Sequence, residues 1–502
     1  MPLKHCIMIF VGSEENENLK YGNKSVLNNS ATYRDKLLFN VSTVCAIIFL
    51  FAFYFKFNNI IYVFLGLIGI SAFLFASLSW KNSFLLFLIY LSVFPNYAWG
   101  SRYLFFRGFY FSETFLVLFF VISVVWIIIN NVNGIQVKRV NSSNFDNLLI
   151  FLLIQLFLSG IWGAYKGYNF KIVYLEFLYF SLYLYYFFYK KYLNDKALLS
   201  SWKWITGITI VVSIQYIMLA FSESDASSVF ITRVVTQQPH LAQLCFPLLL
   251  SNIMFPNTLK KRLWSLIGII PMTGMIFFSQ QRGLWVGICF SILLVGGFVF
   301  FREYFTISKL LKFVLMLIII SLALFLLFVL VDKLFFGSIG LTILSRIESL
   351  SSLSTDASTN IRLSEIIRAL RIWDDNIFSI LFGTGLGCSY ESIDATRPYT
   401  YSVDNSYVIV LWKMGILGLT LFLVLLFLLY KNGLYIYRHT RNKEDKQLVA
   451  GLLSGFGGLL VIALTNACIV RYRFIVIWAL VFATIQVLYN RLKNDQVLLE
   501  RS

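Results

Sequence analysis

Runs of about 20 apolar residues, separated by short charged stretches, recur along this chain of 502 residues. A helix of that length crosses the hydrocarbon core of a bilayer with its backbone groups hydrogen-bonded internally. Hydrophobic residues make up 59% of the chain and charged residues 13%, which is far from the composition of a soluble domain. The sequence therefore predicts an all-α polytopic membrane protein, a bundle of transmembrane helices.

The apolar runs predict about 12 to 14 spans. Their expected positions are 38–55, 60–79, 83–99, 109–130, 147–164, 171–189, 203–221, 239–255, 263–279, 284–301, 311–331, 405–430, 448–468 and 474–490. We expect one transmembrane domain, 38–490, between cytoplasmic tails at 1–37 and 491–502. Within that domain, a large extracytoplasmic loop at 332–402 interrupts otherwise short connections.

The distribution of lysine and arginine predicts the orientation. With the N-terminus inside, about 26 of the 42 cationic residues fall on the cytoplasmic side and about 15 outside, while Lys413 lies within a span. The opposite orientation would place the clusters "YKKYLNDK", "KKR" and "RHTRNKEDK" outside. Both termini are therefore expected in the cytoplasm. The net charge of +18 is explained by this anchoring, so nucleic acid is not an expected partner.

The cysteines and histidines indicate no metal site. The six cysteines show no CxxC spacing and the three histidines form no cluster, whereas a zinc site needs several ligands at close spacing. Cys388 and Cys468 are the one pair that a disulfide on the outer side could join. We expect no metal and no cofactor.

The large loop contains a predicted helix in "STNIRLSEIIRALRIWDDN". At 100° per residue its apolar side chains fall on one arc: Leu363, Ile366, Ile367, Leu370 and Trp373. Arg362 lies at the edge of that arc, where its guanidinium can point into whatever the helix covers. The alternative is a surface arginine paired with Glu365. The helix leads into "LFGTGLG", whose glycines Gly383, Gly385 and Gly387 allow a sharp turn and close backbone approach.

Four charged residues are expected on the same, outer side of the membrane: Arg233, Arg282, Arg362 and Asp404. Guanidiniums bind phosphate oxygens in a bidentate manner and keep their charge in a low dielectric. A carboxylate can accept a proton from a sugar hydroxyl. The chemistry of this set fits a lipid-linked sugar pyrophosphate, with its lipid tail among the helices and its head group outside. The alternative is that Arg233 and Arg282 are interfacial anchors and that Asp404 marks the membrane edge.

Several segments resemble the O-antigen ligase and polymerase superfamily of bacterial membrane proteins. They are "FYFSETFLVLFF", "RVVTQQPHLAQLCFPLLL", "QQRGLWVGI", "NIRLSEIIRALRIWDDNIFSILFGTGLG" and "VDNSYVIVLWKMGILGL". The last four follow the family's order across residues 231–430, with the expected topology. The resemblance implies a polytopic glycosyltransferase of the C type in the bacterial inner membrane. It would act on undecaprenyl (polyprenyl) pyrophosphate glycans without a metal ion, at the extracytoplasmic face.

The resemblance also implies roles for individual residues. Arg233, Arg282 and Arg362 would hold or neutralise the pyrophosphate, which stabilises the charge of a leaving group as it develops. In our own interpretation of the residues, Asp404, helped by His240, would activate or orient the acceptor. Asn405 and Tyr407 match further positions of the motif and are expected to contact substrate. A flippase and a chain-length regulator are implied as partner proteins.

The sequence departs from the family's pattern at two positions, and one of these departures favours one of the family's reactions. Histidine is common in the ligases at the position of Asp404, and asparagine is usual at the position of His240. The acidic residue favours a polymerase, which extends a lipid-linked glycan of the O-antigen, capsule or exopolysaccharide type. The alternatives are a ligase that transfers the glycan to the lipid A core, and a flippase or transporter for lipid-linked oligosaccharide. A flippase should carry charges along a central path through the membrane, and the sequence has few charges within its spans.

Overall fold

The computed structural model describes residues 104–106, 109–110, 143–192, 195–222, 239–255, 258–301, 357–391, 399–470 and 474–501. All of them belong to one compact unit, Phe87–Ser502. The predicted spans 38–55, 60–79, 83–99 and 311–331, the tail 1–37 and Arg233 lie outside the described residues. The predicted span 109–130 is described only at Phe109–Tyr110, which are in a strand.

The described elements are almost all helices. In chain order they are α1 (Asn144–Tyr165), α2 (Phe170–Ser181), α3 (Tyr185–Tyr192), α4 (Asp195–Ser222), α5 (Pro239–Met254), α6 (Leu259–Phe278), α7 (Arg282–Phe301), α8 (Ala357–Trp373), α9 (Ile377–Phe382), α10 (Ser406–His439), α11 (Lys443–Ile462) and α12 (Ile475–Arg501). A 3-10 turn, Leu182–Leu184, joins α2 to α3. Strands β1 (Leu104–Phe106) and β2 (Phe109–Tyr110) pair antiparallel, as do β3 (Tyr390–Glu391) and β4 (Tyr399–Thr400).

Seven segments of the described chain are long and apolar enough to cross a membrane. They are Asn144–Tyr165, Phe170–Lys191, Leu259–Phe278, Arg282–Phe300, Ser406–His439, Lys443–Ile462 and Ile475–Gln496. Each coincides with a predicted span, so the all-α polytopic class is confirmed. The predicted spans 203–221 and 239–255 fall on α4 and α5, which are helical but outside the seven. Several boundaries differ, among them those of α10, which continues to His439, of α11, which ends at Ile462, and of α12, which continues through most of the predicted C-terminal tail.

The hydrogen bonds between helices define two ends of the bundle. Gln155 of α1 donates to the Met414 carbonyl of α10, and Ser159 donates to the Lys413 carbonyl, so α1 and α10 run antiparallel. The amide of Ser406 donates to the Ala463 carbonyl, which joins the start of α10 to the end of α11. We call the end of the bundle where α10 begins and α11 ends the Asp404 end. The opposite end, where α1 and α11 begin, is the Asp146 end.

Helix α11 lies at the centre of the bundle because its glycines admit neighbouring helices. A Cβ on Gly455 would lie 2.5 Å from the Leu244 carbonyl oxygen of α5, closer than any side chain allows. Polar side chains next to this contact join α5, α7 and α11. Gln243 of α5 donates to Ser291 of α7, and Ser291 donates to the Ser454 carbonyl of α11. Small residues and interhelical hydrogen bonds are the usual means of packing helices in a membrane, where water supplies no hydrophobic drive.

A buried carboxylate closes the bundle at its other end. Asp146 accepts from the Ser143 amide in a capping box that begins α1, an arrangement that satisfies free N–H groups. The same carboxylate accepts from the Tyr186 hydroxyl and the Lys190 ammonium of α3, both at 2.5 Å. All three groups are inside the protein, so Asp146 connects the start of α1 to the end of α3.

We expect Asp146→Ala to lower the free energy of unfolding by about 3 to 5 kcal/mol, because it removes one partner of a buried ion pair. The matched control is Glu444→Ala, which removes the Lys261–Glu444 pair at the same end. That pair is 3.8 Å long and its side chains are 36% and 66% exposed, so its loss should cost at most about 1 kcal/mol. Thermal unfolding of the detergent-solubilised variants measures both. Equal midpoints would contradict the assignment of Asp146 as a structural anchor.

Candidate functional site at the Asp404 end

Two of the predicted catalytic residues form an ion pair. The Arg362 Nε of α8 lies 3.1 Å from the Asp404 Oδ2, just before α10, and the side chains are 43% and 51% exposed. The sequence left open whether Arg362 faces the bundle or pairs with Glu365 on the surface. The structure directs its guanidinium to Asp404. A cation and a carboxylate are thus held together at the mouth of the bundle, within reach of a ligand.

Helix α8 is rotated relative to its predicted apolar arc. Ala369 is fully buried and Ile366, Ile372 and Trp373 pack beside it, whereas Leu363 is 54% exposed and Ile367 42% exposed. The expectation that Leu363 and Ile367 lie on the buried face is therefore wrong. The contact face instead runs through Arg362, because the helix docks on Trp412 and Tyr390 around the small side chain of Ala369. This rotation places Arg362 opposite Asp404.

A buried group of side chains supports the ion pair, and we call it the support cluster: Ala369, Cys388, Tyr390, Val403 and Trp412. Val403 directly precedes Asp404, and Ala369 lies two turns along α8 from Arg362, so both charged residues extend from this cluster. Tyr390 and Trp412 pack with ring centroids 5.5 Å apart. Burial, followed by the charge of Glu365, raises the pKa of Tyr390, so its phenol stays protonated. Its hydroxyl has no hydrogen-bond partner among the described residues.

Below the cluster, the chain turns sharply at the predicted glycines. We call residues 383–387 the glycine turn. Gly383, Gly385 and Gly387 have φ of 88°, 95° and 81°, values that a residue with a Cβ rarely adopts. A Cβ on Gly383 would lie 2.3 Å from the Lys413 carbonyl oxygen, and one on Gly385 would lie 2.8 Å from the Gly163 nitrogen. The prediction of a sharp turn with close backbone approach is confirmed.

The glycine turn meets a break in helix α10. Gly415 has φ 71° and ψ −173°, which interrupts the helix about 13 Å from its start at Ser406. A break leaves backbone carbonyls without helical partners, and such groups are costly at membrane depth unless protein satisfies them. Thr384 donates to the Trp412 carbonyl through both its amide and its hydroxyl. Ser159 and Gln155 of α1 donate to the next two carbonyls, at 2.7 and 3.1 Å.

Lys413, which the sequence placed within a span, is buried beside this break. Its ammonium donates to the Cys388 carbonyl, lies 3.4 Å from Glu176 Oε1, and sits 3.9 Å from the centre of the Trp412 ring. The other oxygen of Glu176 accepts from the Gly387 amide at 2.7 Å. One buried ion pair therefore connects α2, α10 and the glycine turn.

Asn405 and Tyr407 have structural partners. The Asn405 carbonyl oxygen caps α10 by accepting from the Tyr407 and Val408 amides, and its NH₂ group donates to the Leu464 carbonyl. The Tyr407 hydroxyl donates to the Leu460 carbonyl at 2.9 Å. Both residues thus fix the start of α10 against the end of α11. Their predicted contact with substrate stays a prediction.

The remaining predicted residues lie at helix starts near this end. Arg282 is half-buried at the first position of α7, and a Cβ on the adjacent Gly283 would lie 2.6 Å from Thr465 Oγ1. Thr465 is next to Leu464, the partner of Asn405. His240 is buried in the first turn of α5, and α5 runs antiparallel to α11. Three helix starts, at His240, Arg282 and Asn405, therefore gather around the loop after α11.

The cysteines near this end are unpaired. Cys388 and Cys468 are both free thiols and both buried, so the structure forms no disulfide between them. Burial raises the pKa of the Cys468 thiol. Among the described residues, no group of three or more His, Cys, Asp or Glu is placed to hold a metal ion.

Sequence patterns did not identify Glu176 as a site residue, nor its ion pair with Lys413. The signal was present as a single acidic residue in the apolar stretch "FKIVYLEFLYFS". An ionisable residue within a span is expensive and needs a partner. The pairing itself was beyond pattern reasoning, since 237 positions separate the two residues along the chain.

Comparison with protein families gives a match to part of the chain. Residues 267–423 match the family described as O-antigen ligase, a range that contains Arg282, Arg362, Asp404 and the break at Gly415. No curated protein matches the chain. The family match indicates a function of the O-antigen ligase and polymerase type, and the family's members are membrane enzymes resembling glycosyltransferases. The chain is therefore a multi-span membrane protein, and its residues 267–423 support a relationship to the O-antigen ligase and polymerase superfamily.

Proposed function

We propose that the protein is a polysaccharide polymerase whose active site is the Asp404 end. It transfers a growing glycan from polyprenyl pyrophosphate to a hydroxyl of another lipid-linked repeat unit. In this reaction the bond between the anomeric carbon and the pyrophosphate oxygen breaks. A glycosidic bond forms to the acceptor oxygen, whose proton passes to a base, and the lipid pyrophosphate leaves with its negative charge.

The Arg362–Asp404 ion pair is the observation that carries this proposal. Its two side chains are about half exposed, so a ligand can reach both. A pyrophosphate offers Arg362 more negative charge than one carboxylate does, and it suits the planar fork of a guanidinium. When the donor takes Arg362, Asp404 is released to accept the proton of the acceptor hydroxyl. Binding of the donor therefore prepares the base.

The helix starts around the ion pair support the same ligand. Arg282 begins α7, and the starts of α5 and α10 lie at the same end. The N-terminus of a helix carries a partial positive charge that favours anions. Arg282 and Arg233 would bind the pyrophosphate together with Arg362, and His240 would assist Asp404. No metal is needed in this scheme, because the guanidiniums neutralise the leaving group.

The orientation in this proposal follows the positive-inside distribution. Lys190, Lys261 and Arg491 lie at the Asp146 end, where cations are expected to face the cytoplasm. The Asp404 end then faces outward in the bacterial inner membrane, where a lipid-linked repeat unit delivered by a flippase meets its acceptor. A chain-length regulator would be a further partner there.

Deleting the gene and sizing the lipid-linked glycans and the surface polysaccharide tests the reaction. We expect single repeat units to remain on the carrier lipid and long chains to vanish. The matched control restores the intact gene. Long chains that persist on the carrier lipid would show a ligase, and the polymerase proposal would be wrong. Repeat units confined to the inner leaflet would show a flippase, and the site assignment would fail with it.

A further inference from the structure

The buried Lys413–Glu176 ion pair is not used by the proposed reaction, and it lies directly beneath the site. The side chains of Lys413 and Glu176 are 2% and 10% exposed. Charges at this depth in a membrane protein are expensive to bury and mark functional positions. Apolar residues of similar volume would fill the same space at less cost, so the pair calls for a reason beyond packing.

The two charges hold two consecutive residues of one segment. Glu176 accepts the amide of Gly387, and Lys413 donates to the carbonyl of Cys388. These bonds fix the end of the glycine turn by its backbone, from below. The turn is also fixed from α1, since the Leu386 amide donates to the Ser159 carbonyl at 3.0 Å. The segment that leaves the turn at Cys388 therefore has a defined starting point.

That segment leads to both members of the Arg362–Asp404 pair. Cys388 belongs to the support cluster, and Tyr390 two residues later pairs with Thr400 in the sheet of β3 and β4. Arg368 of α8 donates to the Glu391 carbonyl at 2.7 Å, which ties the helix of Arg362 to the same strand. Lys413 also lies against the ring of Trp412, the cluster member on α10. A shift of the pair would reach the cluster through Cys388 and Trp412 at once.

A small cavity lies on the same path. Its volume is about 30 Å³, and Glu176, Lys413, Leu386 and Ser402 are among the residues that line it. Ser402 is two residues before Asp404. The interior is thus incompletely packed between the ion pair and the chain that carries Asp404. Hydrogen bonds from the two charged groups therefore add to the packing of the support cluster in fixing the geometry there.

We propose that Lys413 and Glu176 are positioning residues that hold Asp404 opposite Arg362 by fixing the glycine turn and the support cluster. This inference rests on the proposed function for its effect on transfer, but its structural part stands on the contacts alone. The pair does not touch the substrate. Its removal should displace the Asp404 carboxylate and the Arg362 guanidinium relative to each other.

The test uses the full-length protein with Cys388 as its single cysteine, the other five being replaced by alanine. Cys388 is 3% exposed, so it should react slowly with a bulky, membrane-impermeant maleimide. We expect Lys413→Met and Glu176→Gln each to raise the labelling rate of Cys388 by at least about tenfold, because a loosened glycine turn opens more often and exposes the thiol. The kcat of glycan transfer should fall by at least about tenfold. The KM for the donor should change by less than about threefold, because the other arginines still bind its pyrophosphate.

Two further variants keep the result interpretable. Lys431→Met removes an exposed lysine of the same helix and should leave labelling and transfer at parent values. The double variant Glu176→Gln/Lys413→Met leaves no unpaired buried charge, so it should accumulate normally even if a single variant does not. We expect the double variant to show fast labelling and slow transfer, since the two backbone anchors remain weakened.

Three outcomes would overturn the proposal. Slow Cys388 labelling with parent-level transfer in the folded variants would show that the pair does not position the site. So would fast labelling without loss of transfer. A double variant that recovers both properties would show that the charges matter only for neutralising each other. If the parent protein transfers no glycan, the proposed function fails instead, and Cys388 labelling still decides whether the pair fixes the turn.

Discussion

Arg362→Ala should lower glycan transfer by roughly 100- to 1,000-fold, the usual effect of removing one donor that stabilises a developing negative charge. Arg362→Lys keeps the charge but loses the bidentate fork, so we expect an intermediate rate. Transfer is measured with purified protein and polyprenyl-pyrophosphate-linked repeat units. The matched control is Arg371→Ala, which removes an exposed arginine of the same helix and should leave transfer unchanged.

The stability of the same variants separates chemistry from folding. The Arg362–Asp404 pair is about half exposed, and such pairs contribute at most about 1 kcal/mol to stability. Arg362→Ala should therefore lose activity while its unfolding midpoint stays near that of the parent. Asp404→Asn, which keeps the shape of the side chain without its charge, should show the same combination. Full polymer synthesis by Arg362→Ala at normal protein levels would refute the site assignment.

Gly415→Ala should prevent the protein from folding stably. At φ 71° and ψ −173° a side chain costs about 1 to 3 kcal/mol in strain. The added Cβ would also lie 2.3 Å from the Leu381 carbonyl oxygen of α9, so α9 and the helix break could not stay in contact. Several freed carbonyls would then lose their partners inside the membrane. Size-exclusion chromatography of a fluorescent fusion in detergent measures the folded fraction.

Two other glycines provide controls that separate backbone strain from the steric clash of an added Cβ. Gly167 has φ 76° and Gly207 is helical, and a Cβ on either meets no atom within 4 Å. Gly167→Ala should cost about 1 to 2 kcal/mol from backbone strain alone. Gly207→Ala should be neutral or stabilising by about 0.5 to 1 kcal/mol. If Gly415→Ala accumulates as well as Gly207→Ala, the break in α10 is not required for stable folding.

The sequence by itself determined the membrane class and the positions of most described spans, and it singled out Arg362 and Asp404 as candidate site residues. These properties are local, because an apolar run of about 20 residues must be helical in lipid. Likewise, a turn whose backbone has positive φ favours glycine, as at Gly383, Gly385 and Gly387. The resemblance of short motifs around Arg282, Arg362 and Asp404 added the family, which the match at residues 267–423 supports.

Only the tertiary structure decided which face of α8 is buried and what Lys413 does. Apolar periodicity predicts a buried face that contains Leu363 and Ile367, whereas α8 docks around Ala369 and thereby directs Arg362 toward Asp404. The reason is that helix docking depends on side-chain volumes on the partner surface, which periodicity does not contain. Likewise, the cost of burying Lys413 is offset by Glu176, from another helix. Such long-range pairing becomes visible only once the chain has folded.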